Sequence, residues 1–187
     1  MRIASNSNCS KELSKAVARP ISIAAVLWFL SLLPFNACLA QEPVEAKVKA
    51  AGCFIPTPEG VVLGISAAFR QISIPMGSHK PGETAQETAT RETMEETGLD
   101  VVVGPLLQTF ENDTVFLFFC TPKTPIKDYS QLRALDPLEI TEVIVINPVT
   151  MLNYDGRRIT NSWRFRENGP LLIKLYEKYK NDPSRTK

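Results

Sequence analysis

The chain has 187 residues, enough for one domain of ordinary size or one domain plus a targeting segment, and 44% hydrophobic with 22% charged residues excludes a wholly disordered chain. With 21 Lys+Arg against 20 Asp+Glu the net charge is +1, so no basic surplus is present to grip nucleic acid through its phosphates. The single histidine, His79, excludes a multi-histidine metal site, and the cysteines Cys9, Cys38, Cys53 and Cys120 form no C-x-x-C pair of the zinc-ribbon or dithiol kind.

Residues 1–40 carry Arg2, Lys11, Lys15 and Arg19 against Glu12 alone, a surplus of +3 that leaves −2 to the remainder. Arg19-Pro20 precedes an uncharged apolar run, Ile21 to Leu33, which Pro34 ends. Cys38 and Ala40 then supply small residues at −3 and −1 of a cleavage point. A basic segment, an apolar run and such a site predict a secretory signal peptide cut after Ala40, and hence a secreted or periplasmic protein. Three rivals stand beside this reading. An uncleaved segment would anchor the chain in a membrane with its domain outside the cytosol, although a spanning helix needs about 20 apolar residues. A lipid on Cys38 would require an aliphatic residue three positions earlier, where Phe35 stands. A core helix would need an amphipathic partner helix nearby.

Residues 41–187 contain no Gly/Ser-rich linker, repeat or low-complexity tract and read as one domain. Strands are predicted at Lys49–Ile55 and Val61–Ser66, separated by the turn signal Thr57-Pro58-Glu59-Gly60, and a short strand at Arg70–Ile74. A Gly/Pro-punctuated loop, Pro75–Gly82, leads into a helix over Thr84–Thr97 that Gly98 ends. Strands at Val101–Phe110 and Thr114–Cys120 flank a turn at Glu111-Asn112-Asp113, and β-branched residues mark a further strand at Thr141–Ile146. Pro170–Tyr179 reads as an amphipathic helix with Leu171, Leu172, Leu175 and Tyr176 on one face, followed by a polar tail over 180–187. Strands mixed with two helices imply an α/β or α+β sandwich.

The chemistry concentrates between Gly77 and Leu99. Glu92, Glu95 and Glu96 lie at i, i+3 and i+4 and so share one side of the helix. Three neighbouring carboxylates repel, and they sit at the helix end whose dipole favours cations. A bound divalent cation relieves both penalties, and an all-oxygen donor set suits Mg²⁺ or Mn²⁺ better than zinc. Arg91 is placed to orient Glu92 with its fixed fork of donors. Glu83, near the helix start, would either add a ligand or hold Arg91, and the loop glycines Gly77 and Gly82 admit unusual backbone conformations and close approach. The plain alternative is a solvated, charged helix face.

The spacing decides between them. The stretch resembles the signature of the Nudix hydrolase family, with Gly77, Glu83, Arg91, Glu92, Glu95, Glu96, Gly98 and Leu99 all in place. Seven fixed identities would coincide by chance about once in 10⁸ starting points. One position departs: Thr93 replaces an aliphatic residue, so its hydroxyl needs a partner, for which the carbonyl one turn back is the candidate. Outside the box the similarity is one of layout, over residues 48–180 or so, with Met76 where the family has a glycine.

The resemblance implies an α/β/α sandwich with a mixed β-sheet between helices. It implies a divalent-metal-dependent hydrolase that cleaves a phosphoanhydride bond in a nucleoside diphosphate linked to another group. Glu92, Glu95 and Glu96 would hold the metal, Arg91 would fix their geometry, and Glu92 or Glu95 would orient or deprotonate the attacking water. Some relatives place the base outside the box, for which Glu111, Glu139 and Glu142 are candidates. The expected partner is a small nucleotide-type diphosphate, with membrane contact only through an uncleaved N-terminal segment. The alternative function is a non-catalytic module of the same fold that binds or regulates. Three further features stay open: His79, as a phosphate contact or simply exposed; Trp163 with Arg164 and Arg166, as a stacking and phosphate-gripping group or an aromatic packed on the last helix; and Cys53 with Cys120, which an oxidising compartment would permit to form a disulfide.

Overall fold

The structure, a computed structural model, describes residues 48–182. The expected signal segment and its cleavage point lie outside these residues. Among the described residues no helix is long and apolar enough to cross a membrane.

The chain forms β1 (Ala50–Phe54), β2 (Val61–Ser66), β3 (Ile72–Ser73), β4 (Met76–Ser78), α1 (Ala85–Thr97), β5 (Val101–Phe110), β6 (Val115–Pro122), β7 (Ile140–Asn147), β8 (Leu152–Asn153) and α2 (Asn168–Lys180), with a 3₁₀ turn at Tyr129–Gln131. The strands assemble into a mixed sheet, β4-β1-β6-β5, and a second sheet, β3-β2-β7-β8. In the mixed sheet β1 runs parallel to β6 and antiparallel to β4, while β5 and β6 form a hairpin. The second sheet is antiparallel throughout. The expected α/β class and mixed sheet are thus present, together with a second sheet that the pattern of apolar runs did not separate from the first.

Alternation along the central strands sorts the core into two layers. Ala51, Cys53 and Ile55 of the β1 region, with Phe116, Phe118 and Cys120 of β6, pack with Ala85 and Ala89 of α1. Phe54 and Leu117 point the other way, into a cluster with Val61, Leu63, Ile144, Ile146 and, from α2, Leu172 and Tyr176. The expected apolar face of the last helix is therefore the one buried. Cys53 and Cys120 form a disulfide between neighbouring strands, and both residues are fully buried.

Helix α1 begins and ends where its sequence dictates. Thr84 caps it, accepting from the Glu87 amide while the Glu87 carboxylate accepts from the Thr84 amide, a reciprocal capping box. Gly98 stops it in the left-handed conformation at φ 73°. Its buried face carries small residues and three threonines rather than large apolar groups, so it lies close to the sheet: the Cys53 sulfur is 3.8 Å from the Ala89 carbonyl oxygen. The expected bond from the Thr93 hydroxyl to the carbonyl one turn back is not present. Thr93 is fully buried, and among the described residues its Oγ1 finds no partner.

Two local features position the site. The segment read as a plain loop before the box contains β4, which adds an edge to β1 in the register Ala51↔Gly77. The β5–β6 turn holds Glu111, Asn112 and Asp113 all at positive φ, 49°, 56° and 62°, and Glu111 lines the cleft described below.

Candidate active site

The box wraps around Arg91. Its Nε donates to Glu83 Oε1 at 2.7 Å and its Nη2 to Glu83 Oε2 at 3.0 Å, a two-pronged grip on one carboxylate. The same Nη2 reaches the Ser78 carbonyl at 2.8 Å, and Nη1 donates to Glu92 Oε1 at 2.5 Å and to Glu95 Oε2 at 3.0 Å. Arg91 thus ties the helix start, the β4 edge and two of the three clustered glutamates together. Of the two roles open to Glu83, the geometry gives it that of holding Arg91. The guanidinium, first among its causes, draws the Glu83 carboxyl down to about 2, with help from the Thr88 hydroxyl and the Lys80 amide and against the effect of burial.

Glu92 and Glu96 lie on the buried side of α1, 6% and 3% exposed, whereas Glu95 stands at the rim with Lys80 Nζ at 3.7 Å. Burial pushes the Glu92 carboxyl up; Arg91 opposes this, and the nearby charges of Glu95 and Glu139 add to it. Burial raises Glu96 further, to about 8, opposed by the Met76 amide and aided by the charges of Glu139 and Glu92. The Met76 amide donates to Glu96 Oε2 at 3.0 Å. Gly77, one residue on, passes directly over Glu92, where a Cβ would fall 2.2 Å from the carboxyl carbon. Close approach, rather than an unusual backbone angle, explains this glycine. Gly82, at φ 87° with open space around it, is the glycine that needs the left-handed region.

The residues fit a hard divalent cation in donor type: all are carboxylates, and two are desolvated and mutually repelling. Among the described residues no three acidic side chains already converge into a cation cage, since Arg91 holds Glu92 and Glu95 from the side. Of the candidate bases outside the box, Glu139, just before β7, acts electrostatically on both Glu92 and Glu96. Glu142 is committed to an ion pair with Arg157. Glu111 lines a neighbouring cleft and lies 4.0 Å from Lys49.

That cleft, of about 250 Å³, opens beside the β4 edge. Met76, Gly77 and Ser78 form one wall, Phe110 and Glu111 of the hairpin a second, and Arg164, Phe165 and Asn168 a third. Ser73 lines it as well, and its buried hydroxyl has no partner among the described residues. Trp163 packs into the α2-side core against Gly169, as an aromatic packed on the last helix would. The aromatics that line the cleft are instead Phe110 and Phe165, the latter 51% exposed with the Arg164 guanidinium 5.6 Å from its ring centre. The sequence reading missed Phe165, Asn168 and Ser73; the one signal for them was the aromatic beside Arg164. His79 is half-buried, with Nδ1 3.0 Å from Thr88 Oγ1, and so is not the simply exposed residue that one reading anticipated.

Comparison with known proteins agrees with this picture. A NUDIX domain model matches residues 46–148, more than half of the chain. No curated protein matches it significantly by sequence. Among solved structures, a UDP-X diphosphatase is similar at 19% identity and a TM-score of 0.51, over 71% of this chain and 64% of its own length. This chain therefore spans less than two-thirds of that protein. An ADP-ribose pyrophosphatase from Streptococcus suis shares 12% identity with a TM-score of 0.54, over 72% of this chain and 92% of that one. An Ap4A hydrolase from C. elegans shares 19% identity with a TM-score of 0.50, over 71% and 98%. At these identities the structural likeness is one of fold.

Proposed function

The chain belongs to the Nudix family, and from that premise we propose that it is an exported, divalent-metal-dependent pyrophosphohydrolase acting on a nucleoside diphosphate linked to another group. The observation that carries the reading is the Arg91 clamp. One guanidinium fixes Glu92 and Glu95 while β4 covers Glu92 and Glu96, and an open cleft adjoins the same strand.

Each residue then has a part. Glu92, Glu95 and Glu96 would hold Mg²⁺ or Mn²⁺, which would neutralise the diphosphate and make water a stronger nucleophile. Arg91 keeps Glu92 and Glu95 aimed, and Glu83 keeps Arg91 in place. Glu92, shielded from solvent and held by Arg91, orients the attacking water or accepts its proton. Glu139 supplies further negative charge close to Glu92 and Glu96. The cleft beside Gly77 receives the organic part of the substrate: Phe165 offers a ring face, Arg164 a positive charge toward phosphate, and the Ser73 hydroxyl a polar contact.

Two observations support export. Residues 1–40 have the make-up of a signal segment, and the fold contains a buried disulfide of the kind that persists in oxidising compartments. Intact mass of protein recovered from outside the cytosol should give an N-terminus at Gln41; a mass that retains Ile21–Leu33 would favour the anchored form.

The test of the activity is a substrate panel on the purified protein: nucleotide sugars, ADP-ribose, dinucleoside polyphosphates and nucleoside triphosphates, with Mg²⁺ and with a chelator. Chelator-sensitive release of a nucleoside monophosphate is expected from at least one class. Turnover indifferent to the chelator would remove the metal assignment. Nucleotide binding without turnover on every class would replace the enzyme with the binding module.

A further inference from the structure

The hydrogen-bond chain that holds Arg91 continues past the carboxylates. Glu83 Oε2 accepts from Arg91 Nη2 at 3.0 Å and also from the Thr88 hydroxyl at 2.8 Å. Thr88 is fully buried, and its Oγ1 lies 3.0 Å from Nδ1 of His79. The His79 backbone is fixed in turn, its amide donating to the Lys49 carbonyl at 2.9 Å.

Counting protons along this chain assigns each donor. A hydroxyl has one proton to give, and an ionised carboxylate accepts only. Glu83, gripped by Arg91, is ionised, so the Thr88 proton goes to Glu83. The Thr88 oxygen can then meet His79 only as an acceptor, which places a proton on Nδ1. A neutral His79 is therefore the Nδ1–H tautomer, the less common form of a free histidine side chain in water, with Nε2 left as the bare acceptor.

We propose that His79 is a positioning residue of this site: through its Nδ1–H it orients the Thr88 hydroxyl onto Glu83, and so steadies the Arg91 clamp that aims Glu92 and Glu95. His79 touches none of the clustered glutamates and acts through the chain His79–Thr88–Glu83–Arg91. Its effect belongs in kcat rather than in substrate affinity. The kinetic consequence rests on the hydrolase reading above, whereas the tautomer does not.

Two measurements on the intact protein test this. His79 is the only histidine in the sequence, so ¹⁵N NMR of its ring is unambiguous without assignment. In metal-free protein, when the ring carries a single proton, that proton should sit on Nδ1. In Thr88→Val, which removes the acceptor, the ring should shift toward the Nε2–H form. A wild-type ring protonated on Nε2, or a ring unaltered by Thr88→Val, overturns the proposal. In the kinetic arm, His79→Leu should lower kcat about tenfold with KM unchanged, the scale of one hydrogen bond. His79→Asn, whose amide nitrogen occupies nearly the place of Nδ1, should restore most of that loss. Leucine turning over like wild type, or asparagine as poor as leucine, overturns the positioning role. If wild-type protein hydrolyses none of the panel, the hydrolase reading falls, and the ring measurement still decides the chain.

Discussion

Gly77→Ala should remove most of the turnover and leave the fold standing. An alanine Cβ at this point would lie 2.2 Å from both the carboxyl carbon and Oε2 of Glu92. Non-bonded carbons settle at about 3.5–4.0 Å, so the carboxylate must retreat by about 1.3 Å or more. Because it is the end of a flexible side chain, the backbone need not follow. Gly77 is also absent from the positive-φ glycines, which are Gly82, Gly98 and Gly156, so alanine meets no conformational penalty there. What is lost is the 2.5 Å bond from Arg91 to Glu92, a charged pair on an 8%-exposed carboxylate side chain, worth about 1.5–3 kcal/mol of stability at most. Catalysis is far more sensitive to the same movement: a misplacement of about 1 Å costs about 10²-fold in rate. The assay is kcat on the best substrate of the panel, together with a thermal melt of the same sample. Gly60→Ala serves as the contrast. Its Cβ would meet the Ile146 carbonyl oxygen at 2.3 Å and carbonyl carbon at 2.4 Å, which are backbone of the second sheet and cannot step aside. That variant should lose several degrees of melting temperature yet keep turnover per folded molecule. Near-normal kcat in Gly77→Ala, or unfolding of Gly77→Ala with Gly60→Ala unharmed, would refute the reasoning.

Glu92→Gln and Glu96→Gln should each lower kcat about 10²–10⁴-fold. The metal-free melting temperature of Glu96→Gln should stay level or rise, since a neutral amide can still accept from Met76; falling stability with intact turnover would instead mark a structural role. Thr93→Val should stabilise the protein by about 1 kcal/mol in urea denaturation, because it removes a buried hydroxyl that finds no partner among the described residues; a loss of stability would show that the hydroxyl has a partner after all. Glu83 is drawn from an ordinary 4.5 down to about 2, so its contribution is full above 4.5 and disappears as pH falls toward 2. Glu83→Gln should therefore be less stable than wild type at neutral pH and converge with it in acid, and parallel curves would contradict the Arg91 grip. Removing the disulfide with Cys53→Ala and Cys120→Ala together should cost about 4 kcal/mol, the loop-closure value for a separation of 67 residues. A double variant as stable as wild type under oxidising conditions would show the bridge to be unimportant.

The sequence by itself determined what is local. Helix α1 is bounded by a capping box and a terminal glycine that lie within its own residues, and the glutamates share a face because a helical turn has 3.6 residues. Arg91, Glu83 and the clustered glutamates lie within one loop and one helix, so spacing alone was enough to place them together. The β-branched and apolar runs likewise marked most strands, because burial on a pleated surface demands them. Only tertiary structure decided what depends on which strands become neighbours. The short β4 is a strand only because β1 offers it an edge, and that pairing brings the Met76 amide to Glu96 and Gly77 over Glu92. Cys53 meets Cys120 because β1 and β6 run side by side, which no interval of 67 residues announces. Glu139, Phe165 and Ser73 reach the neighbourhood of the box from other strands and from the approach to α2. Of two aromatic positions two residues apart, packing against Gly169 drew Trp163 partly into the core and left Phe165 at the cleft. That choice depends on the shape of a helix surface that folds later in the chain, and a linear pattern of polar and apolar residues carries no record of it.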